Sequence, residues 1–314
     1  MTVVLKELHH VPIVSLQAYI KVGSIHEGKY LGRGISHFIE HVIDDGTERR
    51  TRAEIDNLVE EMGNSSNAYT TKDHAHYYIT TSRQHLEVAL DVLSDYLIHP
   101  TFPPAEVEIQ RGIIWNELNG DLDDPNQLLH DLYYETAFRE HPARFPVGGY
   151  KELFMELTRQ DVVEFYQQHY VPDNLIFVAA GDFKTSEMLE KICLAFQDFR
   201  RRIPTAIELP GEPRQLAHRR ADRYMDVGLA YLTMGYHTVK VDSPDTPVVD
   251  VISTLLGSGE SSRLFHILKN QRQLAYAIQA WSETPRYEGG CFGIDAEVEI
   301  EKLTEVEEAI LEQI

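Results

Sequence analysis

The sequence predicts an α/β protein in which two similar units follow one another along the chain. Segments rich in β-branched residues, typical of strands, alternate with segments whose apolar residues have helical spacing. The order of these segments in the first part of the chain recurs after a polar, proline-containing stretch at 200–220. The composition, 43% hydrophobic and 25% charged residues, is typical of globular proteins.

The first unit is predicted to begin with strands and to continue mainly through helices. Gly46 ends the first helix, and Pro104 suits the first turn of a later one, because proline lacks the N–H that would be unpaired there. The predicted elements, in chain order, are strands 2–8 and 13–24, helices 34–45 and 52–62, strands 67–71 and 75–82, helices 83–99, 104–120, 125–138 and 159–168, strand 174–183 and helix 187–199.

The second unit repeats the beginning of this order. Its predicted elements are strand 227–237, a helix at 261–268 in the place of helix 34–45, strands 275–283 and 290–298, and helix 301–314. The chain stops where the first unit reaches about residue 100, so we expect the second unit to be truncated at its C-terminus. The predicted domains are 1–205 and 221–314, with 206–220 as the linker.

Charge and composition argue against several classes of protein. A formal net charge of −21 disfavours nucleic acid as the main partner, since phosphate binding requires a basic patch. Two cysteines, Cys193 and Cys291, are too few for a disulfide framework, and their apolar neighbours favour buried free thiols. No apolar run reaches the ~18 to 20 residues of a membrane span, and no signal peptide is visible. A cytoplasmic location is the default expectation, and export stays open if the N-terminus is incomplete.

The segment GISHFIEHVI carries a pattern typical of a metal site. On a helix, His37, Glu40 and His41 share one face, because their spacings are three and four residues. Two histidines one turn apart commonly bind zinc, and a neighbouring carboxylate can activate a water. The order H-x-x-E-H is the inverzincin motif. With 15 histidines in the chain, a chance pair on an exposed helix is the alternative.

A catalytic zinc site needs a third protein ligand as well as an open position. Glu117, 76 residues after His41 on the predicted helix 104–120, is the candidate. The alternative is an ordinary glutamate on the exposed side of that helix.

Two further patterns have simpler structural explanations. His74 and His76 alternate along an extended segment and so share a face, but the neighbouring Tyr77 and Tyr78 favour a structural role over a second metal site. GSGES at 257–261 lacks the third glycine of a dinucleotide fingerprint, and no P-loop lysine follows. A turn before a helix explains it.

Several motifs occur in a definite order that nearly spans the chain. They are HFIEH (37–41), NAYT (67–70), DHAHYY (73–78), NEL around Glu117, HPARFPVGG (141–149), FYQQHYVPDNLIFVAAGD (165–182), GSGESSRLF (257–265) and QLAYAI (273–278). Each motif is weak alone, but the ordered set is specific. It resembles the pitrilysin family, which includes insulin-degrading enzyme and the mitochondrial processing peptidases.

The resemblance implies an α/β (α+β) fold of tandem similar domains, each a mainly antiparallel sheet packed against helices. It also implies a zinc endopeptidase that acts on unstructured peptides. One Zn²⁺ per chain would be bound by His37, His41 and Glu117, with Glu40 as the base that activates a water. Asn67 and Ala68 match a strand whose edge binds the substrate backbone.

Three other positions and one segment take their interpretation from the same resemblance. Lys269 and Tyr276 have the spacing of a basic residue and a tyrosine that, in the family, help to stabilise the oxyanion. In the family, however, the pair that acts at a given zinc site usually comes from the opposite half of the enzyme. Gln110 replaces an acidic residue seven positions before the zinc glutamate and is expected to tune metal affinity. VIDDGT, after the metal motif, replaces a more usual apolar and basic stretch.

The expected partners are peptide substrates and a second homologous half that completes an enclosing chamber. That half lies either on the same chain or on a separate one. No nucleic-acid partner and no membrane span are expected. The alternative function is a non-catalytic structural or assembly subunit of the same fold, which the intact metal motif disfavours.

Overall fold

The computed structural model describes residues 1–63, 65–204 and 207–314. These residues form two compact units. The first consists of Met1–Asn119 with Phe145–Leu209, and the second of Gly120–Arg144 with Pro210–Ile314. The predicted linker contains no helix or strand within its described residues, 207–220.

A five-stranded sheet forms the centre of the first unit. Its strands are β1 (Thr2–Glu7), β2 (Ile13–Ile20), β3 (Ser66–Thr70), β4 (Ala75–Ser82) and β5 (Leu175–Gly181), in the order β1-β5-β2-β4-β3. The β1–β5 pair is parallel, and the other pairs are antiparallel. Strand β3 lies at one edge of the sheet, with β4 as its one neighbour among the described strands.

The helices account for most of the remaining regular structure. They are α1 (Ile35–Val42), α2 (Arg52–Glu61), α3 (Leu86–Ile98), α4 (Pro104–Asp123), α5 (Pro125–Ala137), α6 (Lys151–Phe154), α7 (Arg159–His169), α8 (Thr185–Ala195), α9 (Thr246–Gly257) and α10 (Leu303–Leu311). None of those in the described part of the chain combines the length and hydropathy needed to cross a bilayer.

Alternation of buried and partly exposed residues fixes the register of the central strand. On β2, Val14, Leu16, Ala18 and Ile20 are fully buried, whereas the residues between them are partly exposed. One face of the strand therefore lies in the core, which is the packing that a period of two produces. Phe38 and Ile39 of α1 and several residues of α3 belong to the same core.

The second unit contains a three-stranded antiparallel sheet. Its strands are β6 (Ala230–His237), β7 (Ala275–Glu283) and β8 (Cys291–Val298), in the order β6-β8-β7. Its core includes Leu268, Ile294, Val306 and Ile310. Helix α5 packs against β6, and the rings of Tyr133 and Trp281 meet edge to face at 5.4 Å.

The predicted fold class is confirmed, because each unit packs a mainly antiparallel sheet against helices. The compact units differ from the predicted domain boundaries. Residues 120–144, assigned from the sequence to the first domain, belong to the second unit because α5 packs on its sheet. The second unit also begins at Pro210 rather than at 221.

The structure refines one local expectation and contradicts another. A helix occurs in the segment expected at 261–268, but it includes a π-helix, Phe265–Gln271, in which the Arg272 N–H reaches back to the carbonyl of Ile267. Cys291 is buried as expected, but Cys193 is exposed. Its side of α8 faces solvent although its sequence neighbours are apolar.

Candidate metal centre

A buried glutamate holds the N-terminus of α1. Glu27 is 2% exposed, and its carboxyl group accepts hydrogen bonds from the backbone N–H groups of Gly34 (3.2 Å) and Ser36 (2.9 Å). Such N–H groups have no partner within the helix, so the side chain supplies the missing acceptors. Burial raises the pKa of Glu27 to about 8, although the N–H donors oppose the shift. Glu27 therefore fixes where this helix begins.

Glycines allow close packing against the same end of α1. Gly34 has a φ of +69°, and a Cβ there would lie 2.0 Å from the carbonyl oxygen of Gly148. Gly149 has a φ of +80°, and its Cβ would lie 2.5 Å from the nitrogen of Gly34. Only glycine combines the left-handed conformation with this approach of two backbones. The glycines of HPARFPVGG thus help to seat the helix.

The three predicted ligands converge on one side of α1. The Nε2 atoms of His37 and His41 are 3.1 Å apart. The Glu117 carboxylate on α4 has one oxygen 3.9 Å from Nε2 of His37 and the other 3.7 Å from Nε2 of His41. One donor atom from each of these residues lies within 4.8 Å of the other two. No other group of three or more such residues occurs in the described ranges.

This set of donors fits a zinc ion. Two imidazoles and a carboxylate form a common catalytic zinc site and leave a fourth position open. Donors bound to one tetrahedral zinc ion are roughly 3.3 to 3.6 Å apart, close to the separations found here. Burial lowers the pKa of His37 to about 3 and also lowers that of His41, so both rings are neutral, as metal ligands must be.

Glu40 lies beside the three ligand residues. Its Oε2 is 3.8 Å from Nε2 of His37 and accepts a hydrogen bond of 3.3 Å from the hydroxyl group of Thr70 on β3. Burial is the main cause that raises the pKa of Glu40 to about 7, and the hydrogen bond from Thr70 opposes it. A carboxyl group with a pKa near neutrality can accept a proton and return it.

Gln110 connects His41 with a buried acid. Its side chain forms a hydrogen bond with His41, and its Nε2 donates to Oδ1 of Asp45 at 3.1 Å. Gln110 is 5% exposed and Asp45 is 3% exposed. Arg52 also pairs with Asp45, at 3.0 Å. The carboxylate behind His41 therefore comes from VIDDGT rather than from position 110.

Two family models match the chain. The first, Insulinase (Peptidase family M16), matches residues 2–149, and the second, Peptidase M16 inactive domain, matches residues 156–314. The chain belongs to peptidase family M16. This membership confirms the family resemblance predicted from the motifs, since insulinase and pitrilysin name the same family.

Relatives of this M16 chain are named as zinc proteases. An uncharacterized zinc protease of Streptomyces coelicolor is 28% identical over 94% of this chain and 65% of its own length. An uncharacterized zinc protease of Bacillus subtilis is 26% identical over 89% of this chain and 67% of its own length. A zinc protease of Helicobacter pylori is 28% identical over 84% of this chain and 60% of its own length. The chain thus spans about two thirds of the length of these relatives.

Solved structures share the fold of the M16 chain. The crystal structure of a protease from Helicobacter pylori has a TM-score of 0.91 and 26% identity, and the match covers 99% of this chain and 76% of that one. A peptidase M16 inactive domain from Pseudomonas fluorescens has a TM-score of 0.88 and 18% identity, and the match covers 99% and 76% of the two chains. The second likeness concerns the fold alone.

The edge strand β3 carries the two residues predicted to bind substrate in this M16 chain. Asn67 pairs with Tyr78, and Ala68 pairs with Tyr77, both on β4. The backbone N–H of Ala68 donates to Oδ1 of Asn67 at 2.9 Å. Thr70 joins the end of the same strand to Glu40. The strand and the predicted base are therefore directly connected.

Lys269 and Tyr276 lie in the second unit, whereas the predicted ligands lie in the first. The ammonium group of Lys269 lies over the ring of Phe265, 4.8 Å from its centre. Tyr276 is 54% exposed, and its hydroxyl donates to Glu299 at 3.2 Å. The register of β7 on β8 is irregular at this residue, which is a place where a bulge can redirect a side chain.

His76 is buried among aromatic rings. It is 4% exposed, and its ring stacks on Tyr19 at 4.1 Å and on Tyr78 at 5.2 Å. Burial lowers its pKa to about 4. Neither His74 nor His76 belongs to a metal-competent group in the described ranges. The structural interpretation of this pair fits these contacts.

Three residues near the site were not identified from the sequence. Thr70 contacts Glu40, Glu27 caps α1, and Asp45 lies behind Gln110. Thr70 ends the NAYT motif, so its position could have been singled out. The sequence holds no comparable signal for Glu27, because its partners are backbone groups of a helix that begins eight residues later.

Proposed function

We propose that this chain provides the metal-binding half of a zinc-dependent endopeptidase that hydrolyses unstructured peptides. The observation that carries the proposal is the convergence of His37, His41 and Glu117, with Glu40 beside them and Thr70 in contact with Glu40. The names of the relatives support zinc as the metal.

In the proposed reaction, His37, His41 and Glu117 hold one zinc ion. When bound, zinc acts as a Lewis acid toward the scissile carbonyl group and toward water. Glu40 accepts a proton from the attacking water and later donates it to the leaving amine. The hydroxyl group of Thr70 orients the carboxylate of Glu40 for both steps.

The substrate is proposed to bind as an added strand along β3. An edge strand offers backbone N–H and C=O groups to an extended peptide, so Asn67 and Ala68 would hold the peptide backbone rather than a particular side chain. A segment can pair in this way only if its backbone N–H and C=O groups are not already bonded within a folded domain. This requirement supports unstructured peptides as the substrate class.

A second homologous half is proposed to complete the reaction chamber. The chain spans about two thirds of the length of its relatives, and its second part matches a family described as an inactive domain. Lys269 and Tyr276 are proposed to act at the oxyanion of a site that two halves form together, since they lie outside the unit that binds the metal.

A non-catalytic subunit is the second candidate function. The match of residues 156–314 to the Peptidase M16 inactive domain favours it for that part of the chain. The intact set of ligands and base in the first unit counts against it for the whole.

The substitution Glu40→Gln separates the two candidates. We expect the full-length variant to retain its zinc and to lose cleavage of unstructured peptides, because Gln cannot accept the proton. Glu60→Gln, an exposed change on α2, is the matched control and should cleave normally. Equal cleavage by Glu40→Gln would contradict the peptidase mechanism, and no cleavage by the zinc-loaded wild type would favour the non-catalytic subunit.

A further inference from the structure

A cavity of about 310 Å³ lies beside the candidate metal centre, within the first unit. Glu40 and His41 form part of its lining, and so do Asn67 and Ala68 of β3. A peptide added along β3 with its scissile bond at Glu40 would place a neighbouring side chain over this cavity. Since a water molecule occupies about 30 Å³, the cavity can hold a long side chain.

The lining of the cavity is strongly acidic. Asp44, Asp45 and Asp56 line it together with one cationic residue, Arg52. Arg52 is shared among several carboxylates, because it lies 3.0 Å from Asp45, 3.6 Å from Asp56 and 3.5 Å from Glu106. Asp44 is exposed and forms no ion pair within 4.0 Å with any residue in the described ranges. The negative charge in the cavity thus exceeds the positive charge.

One buried acceptor of the lining has no donor. Asp45 is 3% exposed, and its Oδ1 interacts with both Gln110 and Arg52. Its Oδ2 accepts no hydrogen bond from any side chain or backbone group of the described residues. A buried carboxylate oxygen without a donor is unfavourable. Because Asp45 lines the cavity, a cationic group that enters lies beside a carboxylate whose hydrogen-bonding capacity is incompletely used.

Apolar side chains complete the wall. Ile55 is 3% exposed and Tyr96 is 4% exposed, and both line the cavity with Val59 and Tyr77. Lysine and arginine carry an apolar stem that packs on such a surface and a charged end that requires carboxylates. A purely aliphatic side chain would leave the carboxylates without a partner, and an acidic one would be repelled.

We propose that this cavity binds a lysine or arginine side chain of the peptide next to the scissile bond, with Asp44 and Asp45 as the groups that contact its charged end. The proposal rests on the proposed function and narrows its substrate class to basic peptides. It also gives a role to Asp44 and a second role to Asp45, which supports His41 through Gln110.

Binding to a catalytically inactive protein tests this proposal without relying on turnover. The full-length, zinc-loaded Glu40→Gln protein is titrated with two fluorescent, unstructured nonapeptides that differ only at a central residue, arginine in one and its neutral analogue citrulline in the other. We expect the arginine peptide to bind roughly 10- to 100-fold more tightly, because only arginine can form a charge-assisted hydrogen bond with the carboxylates of the cavity. Adding Asp44→Asn should remove most of that ratio, whereas Glu61→Gln, an exposed change outside the cavity, should leave it intact.

The outcomes separate this proposal from the proposed function. Equal binding of the two peptides, absence of binding, or a ratio that Asp44→Asn leaves unchanged would overturn the basic pocket even if the wild type cleaves peptides. A ratio that depends on Asp44, together with a wild type that cleaves nothing, would support the pocket and contradict the peptidase. Mass-spectrometric mapping of wild-type cleavage sites should show lysine or arginine beside the cleaved bond.

Discussion

Nε2 of Gln110 donates a hydrogen bond of 3.1 Å to Oδ1 of Asp45, and both side chains are buried. Gln110 also contacts His41. Its side-chain amide therefore connects a predicted metal ligand to the carboxylate of Asp45, which follows the HFIEH motif. In many metal sites a carboxylate receives the second ring N–H of a ligating histidine directly. Here the amide lies between them.

This arrangement predicts that Gln110 contributes to metal affinity. Gln110→Leu keeps about the same volume but removes both hydrogen bonds, and we expect zinc affinity to fall about 10- to 100-fold. Competition with a chelating dye measures the change. Gln197→Leu, an exposed position near the end of α8, should leave the affinity unaltered. An unchanged affinity in Gln110→Leu would show that His41 needs no support from this side chain.

The close approach of Gly34 and Gly148 makes a second prediction. Gly34→Ala would force a Cβ against the Gly148 carbonyl, so we expect a loss of more than about 2 kcal/mol in the free energy of unfolding and weaker zinc binding. Gly112→Ala, within α4, is the matched control, because a Cβ there meets no atom within 4 Å. Alanine has the higher helix propensity, so this change should stabilise the protein by up to about 1 kcal/mol. Urea denaturation measures both, and equal effects would refute the packing argument.

Glu27 should be needed for the stability of α1. Glu27→Ala leaves two buried N–H groups without acceptors, and we expect the free energy of unfolding to fall by about 2 to 4 kcal/mol. Glu27→Gln retains an acceptor oxygen, so its loss should be clearly smaller. Glu60→Ala on the exposed face of α2 should change stability by less than about 0.5 kcal/mol. Denaturant titration measures all three variants, and a Glu27→Ala variant as stable as the wild type would contradict this account.

His76 should make the protein sensitive to acid. Its pKa is lowered to about 4 in the folded state, whereas the unfolded chain binds the proton near the ordinary value of 6.5. Its contribution to stability is therefore complete above 6.5 and is lost as pH falls from 6.5 to 4, with a slope of at most about 1.4 kcal/mol per pH unit. Below that range both states are protonated, and the loss stops.

The substitution His76→Phe tests this linkage, because phenylalanine can keep the stacking with Tyr19 and Tyr78 but cannot bind a proton. The difference in unfolding free energy between about pH 8 and about pH 5 should be smaller in this variant than in the wild type. The exposed change His10→Phe should leave that difference unaltered. An equal pH dependence in wild type and His76→Phe would assign the acid sensitivity to other groups.

Local patterns predicted much of the fold. The period of two on β2 and the helical spacing around His37 both correspond to regular structure, with element bounds that differ by a few residues from those expected. The π-helix at Phe265–Gln271 could not be distinguished from an α-helix, since both bury apolar residues at similar spacing. The place of α5 depends on its packing against β6, which is a long-range contact that no local pattern reports.

The residues of the candidate site also fall into those that local sequence patterns predict and those that depend on long-range contacts. His37, Glu40 and His41 were predictable because one turn of helix brings them together, and Glu117 was predictable once a third ligand was required. Asp45 behind Gln110 and Thr70 beside Glu40 depend on how α4 and β3 lie against α1, so they required the three-dimensional structure.

The central claim is that His37, His41 and Glu117 bind one zinc ion. Elemental analysis of the purified full-length protein, beside a folded His41→Ala variant, measures it most directly. The account predicts about one zinc per chain in the wild type and little or none in the variant. A folded, zinc-supplemented wild type without bound zinc, or a variant that retains the full amount, would contradict it.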